Sequence, residues 1–129
     1  MGTALVVEDD ITQQMIICKV LKRIGLNVIF AGDGIEAIEL IQHQCPDLVI
    51  LDIVMPQMNG YEVCRRIKSE QTTDQLPVLM FSTHTENINF SWGSKQVADA
   101  YVSKPCRPQE LVDAIMQLLP DKVGLTPLL

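Results

Sequence analysis

No apolar run in this chain approaches the roughly 20 residues that a membrane span needs, and no basic segment followed by an apolar one opens it. A cytoplasmic protein without membrane insertion is expected. Basic charge is also scarce, with ten Lys and Arg against sixteen Asp and Glu, a formal net charge of −6 and a pI near 4.7. Nucleic acid is therefore not an expected partner, because phosphate contacts need clustered cations. The two short basic clusters, Lys22-Arg23 and Arg65-Arg66-Ile67-Lys68, have helical spacing and read as solvated helix faces. Four cysteines, at 18, 45, 64 and 106, form no CxxC pair and have no nearby His at metal-ligand spacing. They read as core or half-buried residues. Repeats and low-complexity segments are absent too.

What remains, 129 residues that are 47% hydrophobic and 20% charged, suffices for one core and leaves no room for a second. A single domain over 1–120 is expected, followed by a short tail, 121–129.

Strand-like and helix-like segments alternate five times. Residues 3–8 are apolar and β-rich, and from Asp10 the residues Ile17, Val20, Leu21 and Ile24 recur at helical spacing until Gly25. Residues 26–30 form a second strand, and Asp33 caps a helix whose stripe is Ile35, Ile38 and Ile41 and which is over by Pro46. The third strand is 47–52, and after a turn from Pro56 to Gly60 a third helix carries Tyr61, Val63, Cys64 and Ile67. Pro77 opens a fourth strand, 78–82, as Pro is tolerated at a strand's first residue. The fourth helix, about 84–97, has thin apolar content and an internal Gly93. A fifth strand, Ala100 to Ser103, leads to an amphipathic helix carrying Leu111, Val112, Ile115, Leu118 and Leu119 and ended by Pro120.

Strict alternation of this kind implies a doubly wound α/β fold, a five-stranded parallel sheet with five helices on its two faces. The flavodoxin-like order 2-1-3-4-5 places a crevice between strands 1 and 3, where ligands bind outside the carboxyl ends of the strands. Glu8, Asp9 and Asp52 then face one another across that switch point. Asp10 is better suited to capping the first helix, a role open to Glu8 and Asp9 as well.

Clustered carboxylates repel one another unless a cation joins them, and Mg2+ suits a few carboxylates together with carbonyl, water and phosphate oxygens. Moving a phosphoryl group onto a carboxylate gives such a metal a task. Asp52 is then the acceptor, with Glu8 and Asp9 holding the ion. Ser82 closes the fourth strand with a hydroxyl, and Lys104 follows the fifth with an ammonium that pairs with Asp52 or with a phosphoryl oxygen.

Together, Glu8-Asp9-Asp10, Asp52 with Met55-Pro56 and Asn59-Gly60, Ser82 and Lys104-Pro105 resemble the receiver domain of bacterial two-component response regulators over about residues 3–119. The resemblance implies that Asp52 accepts a phosphoryl group from a histidine kinase, with Mg2+ bound by Glu8, Asp9, Asp52 and the Val54 carbonyl. It also implies that Ser82 and Tyr101 form a conformational switch and that Lys104 contacts the phosphoryl group. Departures from the commonest pattern are Ser82 for Thr, Thr83 for Ala, Val97 for Gly and Cys106 for Phe. The stretch from Ser91 to Tyr101 is similar to small receivers of chemotaxis and type IV pilus signalling.

The expectation is a stand-alone, non-enzymatic receiver that signals to a downstream effector protein by contact. One alternative is a receiver-like binding module working without phosphorylation, which should have a broken acidic set. Another is a phosphatase resembling the haloacid dehalogenase class, which needs a second Asp two residues after the nucleophile, where this chain has Val54. Tyr101 as an ordinary half-buried aromatic also stays open.

Overall fold

A computed structural model describes residues 2–52, 60–82, 98–103 and 107–119. In chain order these form β1 (Thr3–Val7), α1 (Ile11–Arg23), β2 (Asn27–Ala31), α2 (Gly34–Gln44), β3 (Leu48–Leu51), α3 (Gly60–Ser69), β4 (Val78–Ser82), β5 (Ala100–Ser103) and α4 (Pro108–Leu118). The expected fourth helix, about 84–97, and the tail, 121–129, lie outside the described residues. All strand pairs are parallel and the order is β2-β1-β3-β4-β5, as expected.

The central strands are continuous apolar runs because both of their faces are covered. Alternate residues of β1 and β3 serve opposite layers. Ala4, Val6, Leu48 and Ile50 pack with Ile17 and Leu21 of α1 and Ile115 of α4. Leu5, Val7, Val49 and Leu51 pack with Ala37 and Ile41 of α2 and Val63 and Ile67 of α3. Burying one such Val, Leu or Ile side chain contributes about 1.5–3 kcal/mol, so the sheet centre is a well-packed base for the strand ends.

Local signals set the helix ends. Asp10 caps α1 by accepting the Thr12 N–H at 3.1 Å, and Gly25 provides the left-handed turn after it, with φ of 86°. Asp33 caps α2 by accepting the Glu36 N–H at 2.8 Å, while Glu36 Oε1 accepts the Gly32 N–H at the same distance.

Three local expectations are corrected. Ile35 is not on the buried stripe of α2 but 47% exposed, because the buried face centres on Ala37 and Ile41. Two residues rotate a helix by about 200°, so Ile35 points away from Ala37. Cys45 is exposed rather than half-buried, since it follows the last turn of α2 in a left-handed conformation with φ of 48°. Lys68 does not belong to a solvated basic face. Its Nζ donates to the Asp99 carboxylate at 2.7 Å and to the Leu76 carbonyl at 2.8 Å, which draws the ammonium across the α3–β4 connection.

Candidate functional site

The register of two strands creates the site. Val7 of β1 pairs with Leu51 of β3, so Glu8 and Asp52 are the next residues on two adjacent parallel strands. The Asp52 N–H donates to the Val7 carbonyl at 3.1 Å, and the Glu8 N–H donates to the Ala31 carbonyl at 3.0 Å. Both carboxylates are thus anchored through their own backbones at the carboxyl edge of the sheet, at the switch point of the topology. Carboxylate oxygens of Glu8, Asp9 and Asp52 all lie within 4.8 Å of one another.

The three differ in exposure. Glu8 is 2% exposed, Asp52 is half-buried and Asp9 is open to solvent. Glu8 is also tightly held, its Oε2 accepting the Asp10 N–H at 3.3 Å while its carbonyl accepts from Gln14 Nε2. Gln14 was missed from the sequence. It lies one helical turn after the Asp10 cap, which turns its amide back toward the end of β1. Asp10 serves as the cap rather than as a member of the cluster.

Ser82 ends β4 at the same sheet edge and pairs in register with Ser103, the last residue of β5. Tyr101 is half-buried, packed against the α2–α3 side of the core, and its hydroxyl accepts the Ala98 N–H at 3.0 Å. Lys104 and Val54 lie outside the described residues. The carboxylate set offers only hard oxygen donors at short mutual distance, which fits an ion such as Mg2+ and does not fit one that seeks sulfur or imidazole. Among the described residues, no helix is long and apolar enough to cross a membrane.

A flavodoxin-like sheet with an acidic cluster at its switch point defines a doubly wound α/β domain with an oxygen-donor site. The chain matches the response regulator receiver domain family over residues 4–116 and belongs to that family. It is 35% identical over 108 residues to the DNA-binding response regulator MtrA of Mycolicibacterium paratuberculosis, covering 84% of this chain and 47% of that one. The chain spans about half the length of the curated relatives it matches. Among solved structures it is similar to the receiver domain of a signal transduction histidine kinase from Syntrophus aciditrophicus, with TM-score 0.83, 30% identity, and coverage of 93% of this chain and 91% of that one. It is also similar to the chemotaxis response regulator CheY4 of Vibrio cholerae, with TM-score 0.80, 27% identity and coverage of 92% and 99%. Receiver domains are signalling modules of two-component systems, and phosphorylation and Mg2+ binding are typical of them.

Proposed function

We propose that Asp52 accepts a phosphoryl group from the phosphohistidine of a histidine kinase and that the modified domain signals through an altered protein-contact surface in the cytoplasm. The observation that carries this reading is the convergence of the Glu8, Asp9 and Asp52 carboxylates within 4.8 Å at the ends of β1 and β3. Glu8, Asp9, Asp52 and the Val54 carbonyl would hold Mg2+, which supplies charge neutralisation for the transferring oxygens.

Asp52 is the nucleophile, its carboxylate oxygen attacking phosphorus in line with the leaving imidazole nitrogen, which keeps the electrons of the broken P–N bond. The backbone hydrogen bond from Asp52 to Val7 anchors the strand end that carries the nucleophile. Glu8, buried and hydrogen-bonded, keeps its carboxylate aimed at the cleft. Lys104 pairs with a phosphoryl oxygen, and Ser82 donates to another. Movement of Ser82 toward the phosphoryl group leaves room into which the Tyr101 ring turns, at the cost of its hydrogen bond to Ala98.

The test is intact-mass measurement after incubation with acetyl phosphate and Mg2+. One added phosphoryl group on the wild-type chain and none on Asp52→Asn is expected. An unmodified wild type would reject the mechanism.

A further inference from the structure

The described part of the surface is uneven in its apolar content. Its exposed large hydrophobic residues are Ile11, Met15, Ile16, Phe30 and Ile35, all within the α1–β2–α2 segment. Scattered exposed apolar residues are ordinary, but Met15 and Phe30, brought together from two elements at one concavity, mark a contact surface. Here the concavity exists. A groove of about 300 Å³ between the outer side of α1 and the edge strand β2 is lined by Gln14, Met15, Cys18, Lys19, Lys22 and Phe30. Ile11 lies one turn from Met15 on the same helix and extends the apolar stripe toward the sheet edge that carries the acidic cluster.

The charge of α1 is opposite in sign to that of the chain as a whole. The chain carries a net charge of −6, yet α1 has no Asp or Glu between Ile11 and Arg23 and holds Lys19, Lys22 and Arg23. Both lysines border the groove. We infer that this groove docks an acidic segment of another protein, which inserts apolar side chains beside Met15, Cys18 and Phe30 and sets carboxylates against Lys19 and Lys22. Two copies of this chain meeting symmetrically through the groove would bring lysines against lysines. An anionic membrane would take up the lysines but repel the rest of the chain. The acidic protein segment satisfies both the apolar floor and the basic rim, and it requires no phosphorylation of Asp52.

The experiment pans a random-peptide library on the full chain, with counter-selection on a Met15→Glu/Phe30→Glu double variant. Both substituted side chains are exposed, and an unchanged urea midpoint verifies that the variant folds. Enriched peptides should carry apolar residues among Asp and Glu. They should lose about tenfold or more in affinity for Lys19→Glu/Lys22→Glu, while that variant still takes up one phosphoryl group from acetyl phosphate. Four results would overturn the inference. These are no enrichment, enriched peptides that are neutral or basic, self-association of the chain that Phe30→Glu abolishes, and binding to phosphatidylglycerol vesicles that the lysine variant loses.

Discussion

Lys68 and Asp99, 31 residues apart, meet at 2.7 Å, and the same Asp99 carboxylate oxygen accepts the Val78 N–H at 2.8 Å. One carboxylate therefore joins the end of α3, the start of β4 and the residue preceding β5. Asp99→Ala takes the acceptor from the Lys68 ammonium and the Val78 N–H, whereas Lys68→Met takes the donor from the Asp99 carboxylate and the Leu76 carbonyl. A carbonyl tolerates the loss of a donor better than a backbone N–H tolerates the loss of its acceptor. Both side chains are partly exposed, at 25% and 39%, so the ion pair itself contributes modestly, about 0–1 kcal/mol. The backbone N–H left without its acceptor adds about 1–3 kcal/mol. Urea denaturation should find Asp99→Ala clearly less stable than Lys68→Met. Equal losses would mean that the Val78 N–H contributes no more than the Leu76 carbonyl does.

That clamp was illegible in the sequence for a physical reason. Nothing local marks Lys68 apart from Arg65 and Arg66, and its partner is brought near only when β4 and β5 pair. The strands were legible because burial on both faces removes polar residues from them, as in β3, where all four residues are buried. The same rule exposed the acidic ends, since Glu8 and Asp52 are the first charged residues after two such runs. Ile35 misled because hydrophobicity shows that a helix has an apolar face but not which of several isoleucines lies on it. The left-handed turn at Cys45 had no signal, since Gly or Asn is the usual residue there.

Cys64 gives a pH dependence with a definite sign. Burial pushes its thiol from the ordinary 9.0 up to about 12, with nearby Lys68 pulling it down and Asp99 adding to the rise. Below 9.0 the folded and unfolded chains both keep this proton, and the group adds no pH dependence. Between 9.0 and about 12 the unfolded chain releases the proton while the folded chain retains it, so stability falls as pH rises. The urea midpoint of the wild type should therefore drop more steeply over that range than that of Cys64→Ala. Parallel slopes would place the thiol in a less apolar setting.

Tyr101→Phe keeps the ring and removes the acceptor of the Ala98 N–H. Ala98 is buried, so its amide has poor access to replacement water. A loss of about 1–2 kcal/mol is expected, together with faster hydrogen exchange at the Ala98 amide. If the ring turns on phosphorylation, the Phe variant should also turn more readily, because no hydrogen bond to Ala98 holds it in place. Phosphoryl-induced shifts at the β5 amides would then reach their full extent at lower occupancy of Asp52. Unchanged exchange at Ala98 would remove this bond from the account of the switch.

The acidic cluster should cost the metal-free chain stability, because Glu8, Asp9 and Asp52 hold carboxylates within 4.8 Å of one another. Asp52 is the informative position, being half-buried and hydrogen-bonded through its backbone rather than held in place only by its side chain. Asp52→Asn preserves shape and removes one charge. In the presence of a chelator this variant should gain about 1 kcal/mol over the wild type. Adding Mg2+ should reverse the order, since the ion stabilises the folded wild type by mass action and binds the variant more weakly. Thermal unfolding of both chains, with chelator and across a Mg2+ titration, reads both halves. A wild type that is already the more stable chain in chelator would show that internal hydrogen bonds outweigh the repulsion, and a midpoint that ignores Mg2+ would remove the ion from the site.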